Sequence, residues 1–244
     1  MFAPGEMVLS RAAFAESAAG PVGDYTETNI YYRSLRERDA DWLTAAGYLW
    51  RWDTDWFWGS RHFGAERPWV RRLAGRRFLN SVTYTKLMRI EDRWGVLRRL
   101  NRMRGRHGES VVQDILVPID RCPEFLDFLL REIAITPIWI CPARASDPRR
   151  PWPLVPIAPG RLEVDFGFWD TKWTTAPHPP GHFNRLIERE TARLDGFKSL
   201  YSEAFYARDE FWTHYGKSAY DRLKARYDPG GRLRDLYEKC VLAR

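Results

Sequence analysis

The chain has 244 residues, of which 44% are hydrophobic and 15% aromatic, so disorder is excluded and one large core or two small ones can form. Its 39 lysines and arginines exceed its 32 acidic residues, giving a formal net charge of +7. This charge suits nucleic acid, an acidic membrane or a phosphorylated ligand, but the basic clusters are short, and a solvated basic surface explains them better.

The cysteines and histidines indicate neither a disulfide framework nor a metal site. Cys122, Cys141 and Cys240 are odd in number and far apart, with no Cys-x-x-Cys pair, and His178 and His182 lie in a proline-rich loop without a third ligand. The sequence has no signal-peptide pattern and no apolar window near the roughly 18 residues of a membrane span. We therefore expect a cytoplasmic protein whose membrane contact, if it has any, is peripheral.

The part of the chain before residue 110 is predicted to be mainly helical. A short strand is expected at residues 6–10 ("EMVLS") and a helix at residues 25–43. Residues 67–109 predict a basic helical hairpin, because apolar residues recur every three or four positions and "GRHGE" ends the pattern. The arginines expected on a surface suited to an acidic membrane or a partner domain are Arg71, Arg72, Arg76, Arg77, Arg98, Arg99 and Arg102.

The stretch "YLWRWDTDWFW" (residues 48–58) holds four of the 12 tryptophans. On a helix, Trp52 and Trp56 would lie one turn apart, with Asp53 and Asp55 capping the helix or pairing with nearby arginines. The residues support two interpretations equally: aromatic walls of a wide hydrophobic cleft, or an aromatic core held by structural ion pairs.

After residue 109 the apolar period changes from helical to strand-like. Strands are predicted at 111–119 ("VVQDILVPI"), 135–144, 162–170 ("LEVDFGFWD") and 198–206 ("KSLYSEAFY"), with helices at 122–134 and 183–197 and further helices in the C-terminal tail. The order strand, helix, strand occurs twice in this part of the chain. This order predicts an α+β fold: an antiparallel, ferredoxin-like sheet with its helices on one face.

No nucleotide-binding glycine motif and no Gly-x-Ser-x-Gly nucleophile motif is present. Glu163 and Asp165 are expected on one strand face, where they suit acid-base chemistry if that face closes over a pocket. Residue types alone favour a solvated face instead.

Four segments, "YLWRWDTDWFW", "VVQDILVPI", "ITPIWICP" and "LYSEAFYARDEFW", resemble in collinear order the C-terminal half of the Δ24-sterol reductase family, FAD-dependent enzymes of the vanillyl-alcohol-oxidase type. Members of this family join an N-terminal flavin domain to a C-terminal cap that covers the flavin ring. The resemblance implies FAD as cofactor, NAD(P)H as a candidate electron donor and a hydrophobic, sterol-like substrate whose carbon-carbon double bond is reduced.

The resemblance also implies a domain organisation. Residues 1–24 correspond to the junction with a flavin domain, residues 25–109 to a helical segment rich in tryptophan and basic residues, and residues 110–244 to the cap with its C-terminal helices. Most of the flavin-binding half is thus expected to be absent, so that the chain would be a cap expressed separately, a subunit needing a flavin-binding partner chain, or a truncated frame.

The segment at residues 198–206 resembles the family's strand beside the flavin ring. This implies that Tyr201, Glu203, Tyr206 and Arg208 deliver a proton or polarise flavin and substrate, because hydride addition to an alkene needs a proton donor for the other carbon. In a strand, Tyr201 and Glu203 would face the cavity and the other two would reach its rim. The residues expected to bind substrate are Trp50, Trp52, Trp56, Trp139, Gln113, Glu163 and Asp165.

Two other functions are compatible with the sequence. A non-catalytic interaction subunit would use the tryptophan-rich surface to hold a partner chain. A nucleic-acid-binding module would use arginines and exposed aromatic residues, although nucleic acid is the less favoured partner.

Overall fold

The computed structural model describes residues 1–26, 28–150, 152–155 and 157–242. They form two compact units: a helical unit, Glu6–Gly105, and a sandwich unit made of Met1–Gly5 and Arg106–Arg244. In the described residues, no helix combines the length and apolar character that a membrane span requires.

Short helices build the helical unit, and two of them begin at a residue whose side chain caps the helix. Thr44 accepts a hydrogen bond from the Gly47 backbone N–H at 2.9 Å, and Asn80 accepts one from Thr83 at 2.9 Å, so each caps the helix that follows it. Gly95, with φ of 59°, separates the last two helices. The helices are α1 (Tyr31–Glu37), α2 (Ala45–Trp50), α3 (Pro68–Phe78), α4 (Ser81–Trp94) and α5 (Val96–Met103).

Three predictions for this unit need correction. Residues 7–10 have no regular secondary structure, so the predicted strand is wrong, and the helix predicted over residues 25–43 is limited to α1. Arg71 is 1% exposed and does not lie on the basic surface. Its guanidinium donates to the backbone carbonyls of Thr28 and Thr54, at 2.9 and 3.3 Å, so this arginine holds loops together inside the unit.

The sandwich unit contains the predicted antiparallel sheet. Its strand order is β2-β3-β1-β4, and every neighbouring pair is antiparallel. Each outer strand is reached through a helix, which is the split βαβ arrangement of a ferredoxin-like fold, so the predicted α+β class is confirmed. The elements are β1 (His107–Pro118), α6 (Cys122–Phe128), β2 (Trp139–Ala143), β3 (Glu163–Thr174), α7 (His182–Arg193) and β4 (Phe197–Lys198).

The alternation of β1 and β3 assigns one sheet face to the main core. Ile115 is opposite Phe166 in the register, and both are buried. Helices α6 and α7 cover this face, with Phe125 and Ile187 fully buried against the strands. The helices therefore lie on one side of the sheet, and the residues at the intervening strand positions lie on the other.

The last strand is much shorter than predicted. Strand β4 covers only Phe197–Lys198, and residues 199–207 form a turn and an extended loop, so the strand predicted at 198–206 is wrong in extent. Buried aromatic residues of the tail, including Tyr206 and Phe211, pack into a second cluster. The tail helices are α8 (Arg208–His214), α9 (Lys217–Tyr227) and α10 (Leu236–Cys240).

Candidate functional site

The sheet face opposite α6 and α7 carries two rows of residues, which together we call the acid face. In the first row Trp139 of β2 lies beside Gly167 of β3, and Gly167 lies beside Asp114 of β1. The second row contains Cys141, Asp165 and Leu116 in the same strand order. Asp114 and Asp165 are diagonal neighbours on one face, which brings two carboxyl groups together between apolar and aromatic side chains.

Asp165 is held in a state that favours its protonated form. Burial and, to a smaller extent, the neighbouring carboxylate of Asp114 together raise its pKa to about 7. Its Oδ1 is buried and has no hydrogen-bond partner among the residues that the structure describes. Near neutral pH a substantial fraction of Asp165 therefore carries a proton, as a general acid requires.

Tyr201 extends the first row beyond β1. The Ser199 backbone N–H donates to the Asp114 carbonyl at 2.9 Å, which carries the loop after β4 along β1. The Tyr201 phenol hydrogen-bonds the Asp114 carboxylate, and burial together with that carboxylate raises the pKa of Tyr201. Tyr201 is 58% exposed, so its phenol joins a half-buried carboxyl pair to an accessible surface.

Gly167 shapes the acid face because a side chain there would collide with its neighbours. A Cβ atom at this position would lie 2.7 Å from Asp114 Oδ1 and 3.1 Å from the Trp169 ring. The carboxyl group and the indole thus occupy the space above the glycine, with Trp139, 38% exposed, on the other side. The result is a sheet face on which indole side chains flank a pair of carboxyl groups.

The carboxyl of Asp165 should make the stability of the sandwich unit depend on pH. A carboxyl with a raised pKa in the folded state binds its proton more tightly there, so its contribution is present below its unfolded pKa and lost as pH rises through about 7. Asp165→Asn should therefore gain stability relative to the natural protein as pH rises from about 4 to about 7. Denaturant unfolding at several pH values measures this gain.

The control for this measurement is Asp127→Asn, which removes an exposed carboxyl from α6 on the other side of the sheet. Its free energy of unfolding should differ from that of the natural protein by the same amount at every pH in the series. If the free energies of unfolding of Asp165→Asn and of the natural protein also differ by the same amount at every pH, the pKa of Asp165 is not raised.

Two of the predicted substrate residues are fully buried and offer no accessible surface to a substrate. Gln113 is fully buried on the helix-covered face, where its amide donates to Asn184 of α7. Glu163 is also fully buried, at the start of β3, and accepts a hydrogen bond from Arg161. Both hold the fold together, whereas Trp139 and Asp165 of the same predicted set meet on the acid face.

The residues predicted to act in catalysis separate in the structure. Tyr201 reaches the acid face, whereas Tyr206 is 4% exposed inside the aromatic cluster of the tail rather than at a rim. Glu203 is exposed and accepts a hydrogen bond from Lys198 through its backbone carbonyl. Arg208 forms an ion pair with Asp235.

The tryptophan-rich stretch is not a continuous helix, so that prediction is wrong. Helix α2 ends at Trp50, and residues 51–58 form turns. Trp56, Phe57 and Trp58 have φ values of 48°, 50° and 55°, in the left-handed region that non-glycine residues rarely adopt. Packing holds this conformation: Trp56 stacks on Tyr84 with ring centroids 5.8 Å apart.

The other residues of this stretch divide between packing and exposure. Trp52 stacks on Phe57 at 4.6 Å, while Trp50 is 59% exposed. Asp53 accepts hydrogen bonds from the backbone and hydroxyl of Ser81 at the start of α4, at 3.1 and 2.6 Å. Asp55 is fully buried, and its burial raises its pKa to about 7.

Sequence reasoning missed Asp114. Its signal is a second polar residue in the middle of "VVQDILVPI", where alternation places it on the face opposite Gln113. Its partners Asp165 and Tyr201 lie on other strands and loops, and only the fold brings them together.

The fold and the acid face define an α+β sandwich unit that presents a protonatable carboxyl pair on an aromatic sheet face. The chain is similar to Δ24-sterol reductases: it is 27% identical to the Homo sapiens protein over 149 residues, covering 55% of this chain. It is 27% identical over 165 residues to the Caenorhabditis elegans Δ24-sterol reductase homolog, covering 66% of this chain, and 25% identical over 153 residues to the Pisum sativum protein, covering 57%. The resemblance predicted from the sequence is thus confirmed.

The similarity covers only part of these relatives. The matched region spans 26% of the human protein, 28% of the nematode protein and 27% of the pea protein, so the chain corresponds to about a quarter of their length. No family model and no solved structure matches the chain.

Proposed function

We propose that this chain forms the substrate-facing cap of an FAD-linked oxidoreductase that reduces a carbon-carbon double bond in a hydrophobic, sterol-like molecule. The observation that carries the proposal is the acid face, where the pKa of Asp165 is raised to about 7 and Trp139 lies in the adjacent row of the sheet. Similarity to Δ24-sterol reductases supports the reaction class.

The reaction needs a hydride for one alkene carbon and a proton for the other. A bound flavin supplies the hydride, with NAD(P)H proposed as the source of electrons. The acid face supplies the proton: Asp165 carries one near neutral pH, and the Tyr201 phenol, hydrogen-bonded to Asp114, relays protons between the carboxyl pair and the surface. Trp139 contributes apolar area against the substrate rings.

The residues of this chain fit one side of a flavin site. Indoles flank the carboxyl pair of the acid face, which suits contact with a planar ring system, but the sequence has no glycine-rich loop that could hold the phosphates of the dinucleotide. We propose that a flavin-binding domain holds the phosphates, either elsewhere in a longer protein or in another chain.

We expect the 244-residue chain, purified alone, to be colourless, because its sequence has no glycine-rich motif for the flavin phosphates. Joining it to the flavin-binding domain of a similar Δ24-sterol reductase should yield a yellow protein that reduces a sterol side-chain double bond with NADPH. Visible absorbance and product analysis measure the two outcomes. If the isolated chain binds roughly one FAD per molecule, the proposal that another domain holds the flavin phosphates is wrong. A flavin-loaded fusion that reduces no double bond would contradict the reaction.

The proposed location is the cytoplasm, with peripheral contact at a membrane. A sterol-like substrate partitions into bilayers, so a cap that reaches the bilayer surface would shorten the path of the substrate. The surface that would make this contact lies in the helical unit.

A further inference from the structure

The end of α4 and the whole of α5 expose an unusual amount of apolar surface. Over residues 87–103, seven apolar side chains are between 40% and 85% exposed. Exposed apolar side chains that cluster on a surface usually mark an interaction site. The seven residues are Leu87, Ile90, Trp94, Val96, Leu97, Leu100 and Met103.

Each helix separates its apolar residues from its basic residues. In α5 the spacing of one, three and four places Val96, Leu97, Leu100 and Met103 on one face, and Arg98, Arg99 and Arg102 fall on the other. In α4 the apolar residues Leu87, Ile90 and Trp94 follow one side, and Lys86, Arg89 and Arg93 lie along the flank next to it. Both helices therefore have an apolar face with basic residues beside it or opposite it.

Positive charge dominates this segment. Residues 81–106 contain eight basic and two acidic side chains. Glu91, one of the acidic pair, accepts hydrogen bonds from the backbone N–H groups of Leu97 and Arg98, at 3.0 and 2.9 Å, and thereby satisfies the start of α5. At the junction of the helices an open cavity of about 240 Å³ is lined by Trp94, Gly95 and four arginines: Arg93, Arg98, Arg99 and Arg102.

We propose that residues 81–106 dock on an anionic lipid bilayer, with the apolar faces of α4 and α5 entering the headgroup region and the arginines contacting lipid phosphates. A helix with arginine on its polar face and leucine or tryptophan on the other, and with low overall hydrophobicity, has the composition of an interfacial membrane helix. The excess of basic residues is complementary to the negative potential of an anionic leaflet.

Two other occupants fit this surface less well. A single-stranded nucleic acid would engage the arginines and Trp94, but it would leave exposed aliphatic residues such as Ile90 and Met103 in water. A protein partner would be expected to cover a patch whose centre is depleted in charge, whereas here four arginines surround the junction of the helices. This inference does not rest on the proposed reaction.

The test is flotation of the full 244-residue chain with vesicles of phosphatidylcholine alone or with one third phosphatidylserine. We expect binding to be at least about 10-fold stronger with phosphatidylserine and to weaken as salt rises. Arg99→Gln/Arg102→Gln should lower binding by roughly 5-fold for each arginine. The matched control, Arg222→Gln/Arg226→Gln, removes the same charge from exposed positions of α9 and should have a smaller effect.

A second pair of variants tests the apolar faces. Leu97→Ser/Met103→Ser should lower vesicle binding by about 10-fold or more, because two side chains that would enter the bilayer lose apolar area. Leu223→Ser/Leu233→Ser, which are 40% and 68% exposed in the sandwich unit, should leave binding unchanged. Circular dichroism should show the same helix content in all four variants.

Several outcomes would overturn the proposal. The chain could fail to float with either kind of vesicle, or it could float equally with both. The variants in α5 could also lose no more vesicle binding than their controls in the sandwich unit. Oligonucleotide binding that depends on Arg99 and Arg102, without flotation, would assign the surface to nucleic acid. Self-association abolished by Leu97→Ser/Met103→Ser, without flotation, would assign it to a protein partner.

Discussion

Asp165→Asn should lower the rate of double-bond reduction by about 100-fold or more in a flavin-loaded assembly that contains this chain, the range expected when a general acid is lost. The amide keeps the shape of the side chain but cannot release a proton to the alkene carbon. Single-turnover kinetics, followed by flavin absorbance, measure the step directly.

The pH profile should distinguish proton donation from a packing effect. Since the pKa of Asp165 is raised to about 7, the rate of double-bond reduction by the natural sequence should fall as pH rises through that value. The rate of the Asp165→Asn variant should not show this decrease. The control Asp127→Asn, on the far side of the sheet, should keep both the rate and the profile. A variant with lower rate but an unchanged profile would give Asp165 a structural role only.

Tyr201→Phe and Glu203→Gln distinguish two versions of the site. The sequence predicts that Tyr201 and Glu203 act together, whereas the acid face pairs Tyr201 with Asp114 and Asp165. If the acid face is the proton source, Tyr201→Phe should lose about 100-fold in rate, and Glu203→Gln, at an exposed loop position, should lose far less. Equal losses in the two variants would restore the pair predicted from the sequence.

The sheet could be predicted because its pattern is local. Alternation in "VVQDILVPI" and "LEVDFGFWD" assigns Ile115 and Phe166 to the core face, and burial enforces that choice because a one-residue shift would expose every apolar side chain. The order of strands and helices along the chain then leaves few topologies other than a split βαβ sandwich.

The strand predicted at 198–206 and the helix predicted around Trp56 are wrong because long-range contacts, which a local sequence pattern does not reveal, determine the structure there. The segment 198–206 alternates like a strand, but only Phe197–Lys198 have a partner strand, and Lys198 turns inward to a buried carboxylate. At Trp56 the packing against Tyr84 outweighs helical spacing and stabilises a left-handed backbone. Arginine is usually a surface residue, but Arg71 is buried. Backbone carbonyls of other loops accept its hydrogen bonds and make this burial possible.

The loop that carries Tyr201 depends on a buried ion pair at its base. Glu188 of α7 and Lys198 of β4 are both almost fully buried, with Nζ and Oε1 3.3 Å apart. The Glu188 carboxylate also accepts from the Phe205 backbone N–H at 2.8 Å and from Arg185 at 3.2 Å. The lysine donates in turn to a backbone carbonyl of the same loop. The pair thus ties helix, strand and loop together.

Glu188→Gln should lower the free energy of unfolding of the sandwich unit by about 3 to 5 kcal/mol, because it leaves the ammonium of Lys198 buried without a counter-charge. Adding Lys198→Met should recover part of this loss, since the double variant buries no unpaired charge. Denaturant unfolding of the full chain measures both differences.

The matched control is Glu190→Gln on the same helix. Glu190 pairs with Arg193 at 2.6 Å, but the arginine is 52% exposed, so the loss should stay below about 1 kcal/mol. Burial already lowers the pKa of Lys198, and removal of Glu188 should lower it further. A base with a lowered pKa in the folded state destabilises the fold as pH falls, so the deficit of Glu188→Gln should shrink as pH rises towards the pKa of a free lysine. If the deficit is independent of pH and no larger than that of Glu190→Gln, the pair does not stabilise the base of the Tyr201 loop.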